Sequence, residues 1–175
     1  VLILVPTREL AAQVADNVKA YGAHKPHRAL CIYGGVGERP QIYGLKAGCD
    51  ILIATPGRLL DLCQQGHCDL RGIRCVVLDE ADHMAELGFL QHVEQILADT
   101  PKDTQRLLFS ATLDRGIDRL VNRFLNDPVT HEVDSEQSPV EAMEHHVLHI
   151  DNSDRLGILK ELCAAPGKTL VFTRT

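Results

Sequence analysis

Short, nearly continuous apolar runs alternate with amphipathic stretches along most of the chain. The apolar runs lie at residues 1–5, 29–33, 51–54, 75–79 and 107–110. Strands buried on both faces of a parallel sheet have this character, because helices cover the sheet from either side. Between the runs, apolar residues recur at helical spacing. Over 8–21, Leu10, Val14, Val18 and Tyr21 fall on one face, and Gly22 ends the pattern. A second helix opens at Thr55-Pro56, with Thr as N-cap and Pro at the first helical position. Two more are predicted over 89–98 and 113–125. In the latter, Ile117, Leu120, Val121 and Phe124 share a face, and Asn126-Asp127-Pro128 stops the helix.

Strand and helix in this rhythm predict an α/β domain built on a mostly parallel sheet. In such sheets the working residues sit on loops just past the carboxyl ends of the strands. The character changes near residue 133. Asp134-Ser135-Glu136-Gln137-Ser138-Pro139 is wholly polar and reads as a linker. Beyond it lie a strand-like 144–150, a helix over 154–164 capped by Asp154, and a strand over 170–173. This tail is too short to bury a core of its own and reads as the opening of a second domain. The expected organisation is a first domain over 1–133, a linker over 134–142 and the start of a second domain over 143–175.

Composition narrows the classes. A chain of 175 residues has room for one domain and a piece of another. With 45% hydrophobic and 24% charged residues it is an ordinary globular sequence. The net charge of −6 excludes a protein that holds nucleic acid by bulk charge, but not one with a local basic groove. No apolar run approaches the roughly 20 residues of a membrane span. The apolar start has neither a basic stretch before it nor a small-residue cleavage site after it, and no Met. Both ends read as cuts through a longer protein. Cys31, Cys49, Cys63, Cys68, Cys75 and Cys163 follow no disulfide framework and fit reduced thiols in a cytoplasmic protein. Cys63, His67, Cys68 and Cys75 cluster in sequence, yet no Cys-x-x-Cys pair supports zinc. The cluster His145, His146 and His149 likewise lacks metal-site support. Arg outnumbers Lys 12 to 6, which points to a bacterial genome rich in G and C.

The chemistry concentrates at the strand ends. The run at 75–78 ends in Asp79-Glu80-Ala81-Asp82, three carboxylates in four residues. A carboxylate at the tip of a buried parallel strand can hold Mg²⁺, which bridges the β- and γ-phosphates of a nucleotide. A neighbouring Glu can orient and deprotonate the attacking water. The competing reading is an acidic first turn of a helix. The other strand ends carry Pro6-Thr7-Arg8-Glu9-Leu10, Gly34-Gly35, Thr55-Pro56-Gly57-Arg58-Leu59 and Ser110-Ala111-Thr112. In that order and at these spacings, the five strings make the chain resemble a DEAD-box ATP-dependent RNA helicase over nearly its whole length.

The resemblance implies a RecA-like lobe followed by the start of a second, with ATP and Mg²⁺ as cofactors and RNA as partner. It implies that Asp79 organises Mg²⁺ through water and that Glu80 is the general base. Asp82, Ser110 and Thr112 would couple nucleotide state to strand separation. Thr7, Arg8, Gly34, Gly35, Thr55, Gly57 and Arg58 would contact the RNA sugar–phosphate backbone, as would Thr173 and Arg174 in the second lobe. Physical chemistry suits these roles. Gly-Gly admits a close phosphate, a helix start offers N–H groups to an anion, and arginines supply charge-assisted bonds. Contacts to backbone carry no sequence information, so binding independent of sequence is expected. His83 reads as a helix-surface residue.

The chain lacks the phosphate-cradling loop such an ATPase needs. Gly167-Lys168-Thr169 is a decoy, because Leu162 stands where the loop requires Gly and the triplet precedes a strand-like run. In the resembled family the loop lies before residue 1, so this chain alone is expected to be inactive. Two alternatives stand beside the helicase: a DNA helicase of the same superfamily, disfavoured by Asp82, and a non-catalytic module that binds RNA or a partner. A monomer without membrane attachment is expected.

Overall fold

The computed structural model describes residues 1–113, 115–132, 144, 146–151 and 153–172. The chain divides into two compact units, Val1–Thr130 and His131–Thr175. The linker predicted over 134–142 lies outside the described residues.

In the first unit the elements run β1 (Leu2–Leu4), α1 (Arg8–Tyr21), β2 (Ala29–Ile32), α2 (Arg39–Lys46), β3 (Ile51–Ala54), α3 (Pro56–Gln64), β4 (Cys75–Leu78), α4 (Ala81–Glu86), α5 (Leu90–Asp99), β5 (Gln105–Leu108) and α6 (Arg115–Phe124). Every strand pair is parallel, and the five strands lie in the order β2-β3-β1-β4-β5. The side-chain period of two divides β1, β2 and β3 between two cores. Leu2, Leu4, Leu52, Ala54, Val76 and Leu78 face one core with Leu59 and Leu62 of α3, Val93, Ile96 and Leu97 of α5, and Ile117 and Leu120 of α6. Ile53 and Val5 face the other, against Ala11 and Ala15 of α1. Covering both faces is what makes β1, β2 and β3 apolar throughout.

Helix α1 has the predicted bounds. Thr7 caps it by accepting from the Leu10 N–H at 3.2 Å, and the Gly22 N–H closes it on the Val18 carbonyl at 2.8 Å. A Cβ at Gly22 would fall 2.7 Å from that carbonyl, so glycine is needed there. Three expectations need correction. Thr55 occupies the cap position of α3 with extended backbone, but its side chain makes no capping bond; Pro56 at the first helical position already presets the helical φ there. Asp154 precedes α7 (Arg155–Cys163) in a helical conformation and likewise makes no side-chain cap, because the chain already turns there through the Asp154 N–H to the Asp151 carbonyl. The predicted strands over 144–150 and 170–173 are absent among the described residues, which form no ladder. An extended segment becomes a strand only when a neighbour takes its N–H and C=O groups, and here none does. No side chain of α7 is buried, as expected of a helix without a core beneath it.

Two further differences have clear causes. The last strand runs two residues earlier than the apolar run, because Arg106 is accommodated inside the ladder. Its guanidinium donates to the carbonyls of Phe124 (2.6 Å), Pro101 (3.2 Å) and Leu97 (3.4 Å) and to Thr100 Oγ1 (3.1 Å). Helix α2 has no counterpart in the sequence pattern, since Pro40 and Gly44 disguise it. Gly44 lets α2 sit directly on β2: a Cβ there would fall 2.5 Å from Leu30 Cδ1.

Candidate functional site

Parallel strands bring their carboxyl ends to one edge of the sheet, and the five polar strings meet along it. The Asp79 N–H bonds to the Leu4 carbonyl, the Val5 N–H to the Ala54 carbonyl, and the Thr55 N–H to the Ile32 carbonyl. The loops after β1, β2, β3 and β4 are therefore fixed side by side.

Asp79 is half-buried at the tip of β4, and its Oδ1 accepts from the Glu80 N–H at 3.1 Å. Glu80 has φ 51° and ψ 54°, the left-handed region that a residue with a Cβ enters at a cost. That turn lifts its carboxylate off the strand axis and into solvent. Glu80 Oε2 lies 3.0 Å from Nδ1 of His83, one turn along α4. The carboxylate is thus held to the helix by a residue that the pattern marks only as helix surface. The (i, i+3) spacing was the available signal.

Asp82 joins the acidic string to the string after β5. Its Oδ2 accepts from the Thr112 N–H at 3.1 Å and the Thr112 hydroxyl at 3.3 Å, and its Oδ1 accepts from the His83 N–H at 3.0 Å. Burial pushes the Asp82 carboxyl up, but the hydrogen bonds from His83 and Thr112 outweigh it and hold the group below the ordinary range. The Ser110 hydroxyl donates to the Thr112 carbonyl at 2.6 Å, closing the turn.

The second cluster lies around Gly34-Gly35. Gly35 has φ +79°, and an added Cβ would stand 3.9 Å from Arg8 Nη1, so the first and second strings adjoin. A Cβ on Gly34 would meet nothing within 4 Å, so packing does not demand glycine there; the space lies open. Arg8 is exposed and pairs with Glu9 at 2.6 Å, and that hydrogen bond holds the Glu9 carboxyl below its usual range. Thr7 spends one lone pair on capping α1 and keeps its proton for another acceptor. Arg58 reaches the same loop from α3. Its guanidinium donates twice to the Val36 carbonyl, at 3.2 and 3.3 Å, and its side chain is only 16% exposed. Gly57 faces Phe89, with room for a Cβ at 3.7 Å. Thr173 and Arg174 lie outside the described residues. Gln41, absent from the sequence-derived site, is buried against the Gly34–Gly35 loop.

The chain matches the DEAD/DEAH box helicase family over residues 1–120. It belongs to that family. Similar DEAD-box relatives include the chloroplastic DEAD-box ATP-dependent RNA helicase 3A of Zea mays, 39% identical over all of this chain and 24% of its own length. The DEAD-box ATP-dependent RNA helicase CshA of Geobacillus kaustophilus is 39% identical over 99% of this chain and 38% of its own. RNA helicase CrhR of Synechocystis is 40% identical over 99% and 36%. A DEAD box protein from Methanococcus jannaschii, solved by crystallography, superposes with a TM-score of 0.72 at 36% identity, over 94% of this chain and 44% of that one. These neighbours make the parallel sheet a RecA-like one. The chain spans about a quarter to two fifths of the length of the curated relatives it matches.

For this DEAD/DEAH box family member, a Mg²⁺–nucleotide fits the acidic string on the chemistry of its donors. Asp79 offers one hard carboxylate oxygen beyond that bonded to Glu80. Mg²⁺ commonly takes one or two carboxylates and completes its shell with water and phosphate oxygens. Among the described residues no group of three or more His, Cys, Asp or Glu forms an all-protein metal cage. No described helix is long and apolar enough to cross a membrane.

Proposed function

We propose that the protein containing this chain is an ATP-dependent RNA helicase that couples ATP binding and hydrolysis to local duplex unwinding or RNA–protein remodelling. The Asp82–Thr112 bond carries this reading. It ties the acidic string that would sense the nucleotide to the string after β5, on the sheet edge where the Gly34-Gly35 loop and Arg8 adjoin. Family membership and the printed names of the relatives support it.

Asp79 would hold Mg²⁺ through water, and the ion would neutralise charge on the phosphates. Glu80, turned out of the strand, would take a proton from the attacking water at Oε1 or Oε2; leaving His83 frees the second of these. Asp82 would transmit the resulting change to Thr112 and Ser110. RNA would lie along the edge formed by Thr7, Arg8, Gly34, Gly35, Thr55, Gly57 and Arg58; Thr173 and Arg174 would be RNA contacts of the second lobe. Arg58 would also serve this edge by holding Val36. The reading also takes residues 143–175 as the start of a second RecA-like lobe, and the whole protein as a monomer. Free cysteines and the excess of Arg over Lys support a cytoplasmic, bacterial setting.

Purified whole protein should hydrolyse ATP faster with RNA than with DNA or neither. Glu80→Gln should lower turnover by roughly a hundredfold or more while RNA binding in the presence of ATP persists. Equal stimulation by DNA would favour the DNA-helicase alternative. Near-normal turnover by Glu80→Gln would remove Glu80 as the base.

A further inference from the structure

Four polar side chains are buried among the described residues; three are threonines and the fourth is Gln41, at 7% exposure. A buried primary amide must spend its donors and acceptor on partners or lose stability. Gln41 spends all of them on one loop. Its Oε1 accepts from the Tyr33 N–H at 3.1 Å, and its Nε2 donates to the Tyr33 carbonyl at 3.0 Å and the Gly37 carbonyl at 3.4 Å.

Pairing both backbone groups of one residue is what a neighbouring strand does. Tyr33 follows β2, the edge strand of the sheet, so among the described residues no strand lies on its outer side. The amide of Gln41 takes that place for a single residue and stops the ladder there. Gly34 and Gly35 come next, and the Gly37 carbonyl anchors the far end of the turn. Arg58 holds the Val36 carbonyl from α3. Of the five residues 33–37, three are thus fixed by side chains from α2 and α3, while Gly34 faces open space and Gly35 adjoins Arg8.

We propose that Gln41 is a positioning residue for RNA, holding the Gly34-Gly35 turn preformed so that its backbone meets the sugar–phosphate chain without first being ordered. This rests on the RNA-helicase reading above. A loop fixed before binding avoids paying its ordering entropy at binding. Gln41 itself, being buried, does not touch RNA.

The test uses the whole protein and an oligouridylate of about 12 nucleotides. Gln41→Met keeps the volume and removes every hydrogen bond. Gln41→Glu keeps the acceptor for Tyr33 N–H but sets an oxygen against the Tyr33 and Gly37 carbonyls, and serves if the Met variant folds poorly. The RNA concentration for half-maximal stimulation of ATP hydrolysis should rise about five- to tenfold. The KM for ATP should stay within about twofold and the unfolding midpoint within about 3 °C. An unchanged RNA requirement, in a wild type that does respond to RNA, overturns the inference alone. A parallel rise in the KM for ATP with a lowered midpoint shows a merely structural role and also overturns it. A wild type indifferent to RNA overturns the functional reading, and this inference with it.

Discussion

At the scale of the residue, the site depends on backbone placement as much as on side-chain identity. Asp82 accepts from Thr112 and His83, and these bonds to the ionised form hold its carboxyl below the ordinary range. A depressed pKa in the folded state adds stability that is fully present above the unfolded value, about 3.9, and is lost as pH falls through the folded one. Wild-type chain should therefore lose stability more steeply below about pH 4 than Asp82→Asn, measured by urea unfolding across pH. Parallel acid limbs would show that Asp82 is not so bound. The identity of Asp82 is plain in the sequence, and so is its neighbourhood to Glu80. Its partner Thr112, thirty residues away, is not, because nothing local specifies which strand lies beside β4. The same applies to Arg58. Its sequence context suggests a phosphate ligand, and only the fold shows that its guanidinium also donates to the Val36 carbonyl.

At the scale of the element, polar residues inside strands and helices explain most departures from the hydrophobic pattern. Arg106 is the clearest. The apolar run begins at Leu107, yet β5 begins at Gln105, because α5, α6 and the 100–101 turn together present a cage of acceptors for the guanidinium. Burial pushes its pKa down, which those bonds must offset. The Arg106 side chain also lies over the Phe124 ring at 5.9 Å. Arg106→Ala should destabilise the Val1–Thr130 unit by roughly 2–4 kcal/mol, since it leaves the Phe124 and Pro101 carbonyls without their partner. Arg106→Lys should recover only part of this, since an ammonium cannot span the fork. Denaturant titration of the 175-residue chain checks both; a loss under about 0.5 kcal/mol would show that the cage contributes little. Helix α2 illustrates the other kind of departure. Pro40 and Gly44 hide it from propensity, and the same Gly44 lets it lie against Leu30 and carry Gln41 to the loop.

At the scale of the whole molecule, the net charge of −6 is compatible with the proposed RNA-facing edge, because that edge would rely on backbone and few cations. The 175 residues contain no Gly-x-x-x-x-Gly-Lys-Ser/Thr string, the sequence that cradles nucleotide phosphates. Supplied alone, the chain should show no RNA-stimulated ATP hydrolysis above background in a phosphate-release assay. Measurable, RNA-dependent turnover would mean that other residues hold the phosphates. The sequence by itself determined the class of sheet, the order of its strands along the chain, the bounds of α1 and the five strings that mark the family. Hydrophobic period and short-range turn chemistry are local properties, and local properties are written in consecutive residues. Only the tertiary structure decided which strings touch, that Arg58 and Gln41 brace the Gly34-Gly35 turn, and that Arg106 belongs inside a strand. Those outcomes depend on strand order across the sheet and on acceptors gathered from distant segments, which chain spacing does not encode.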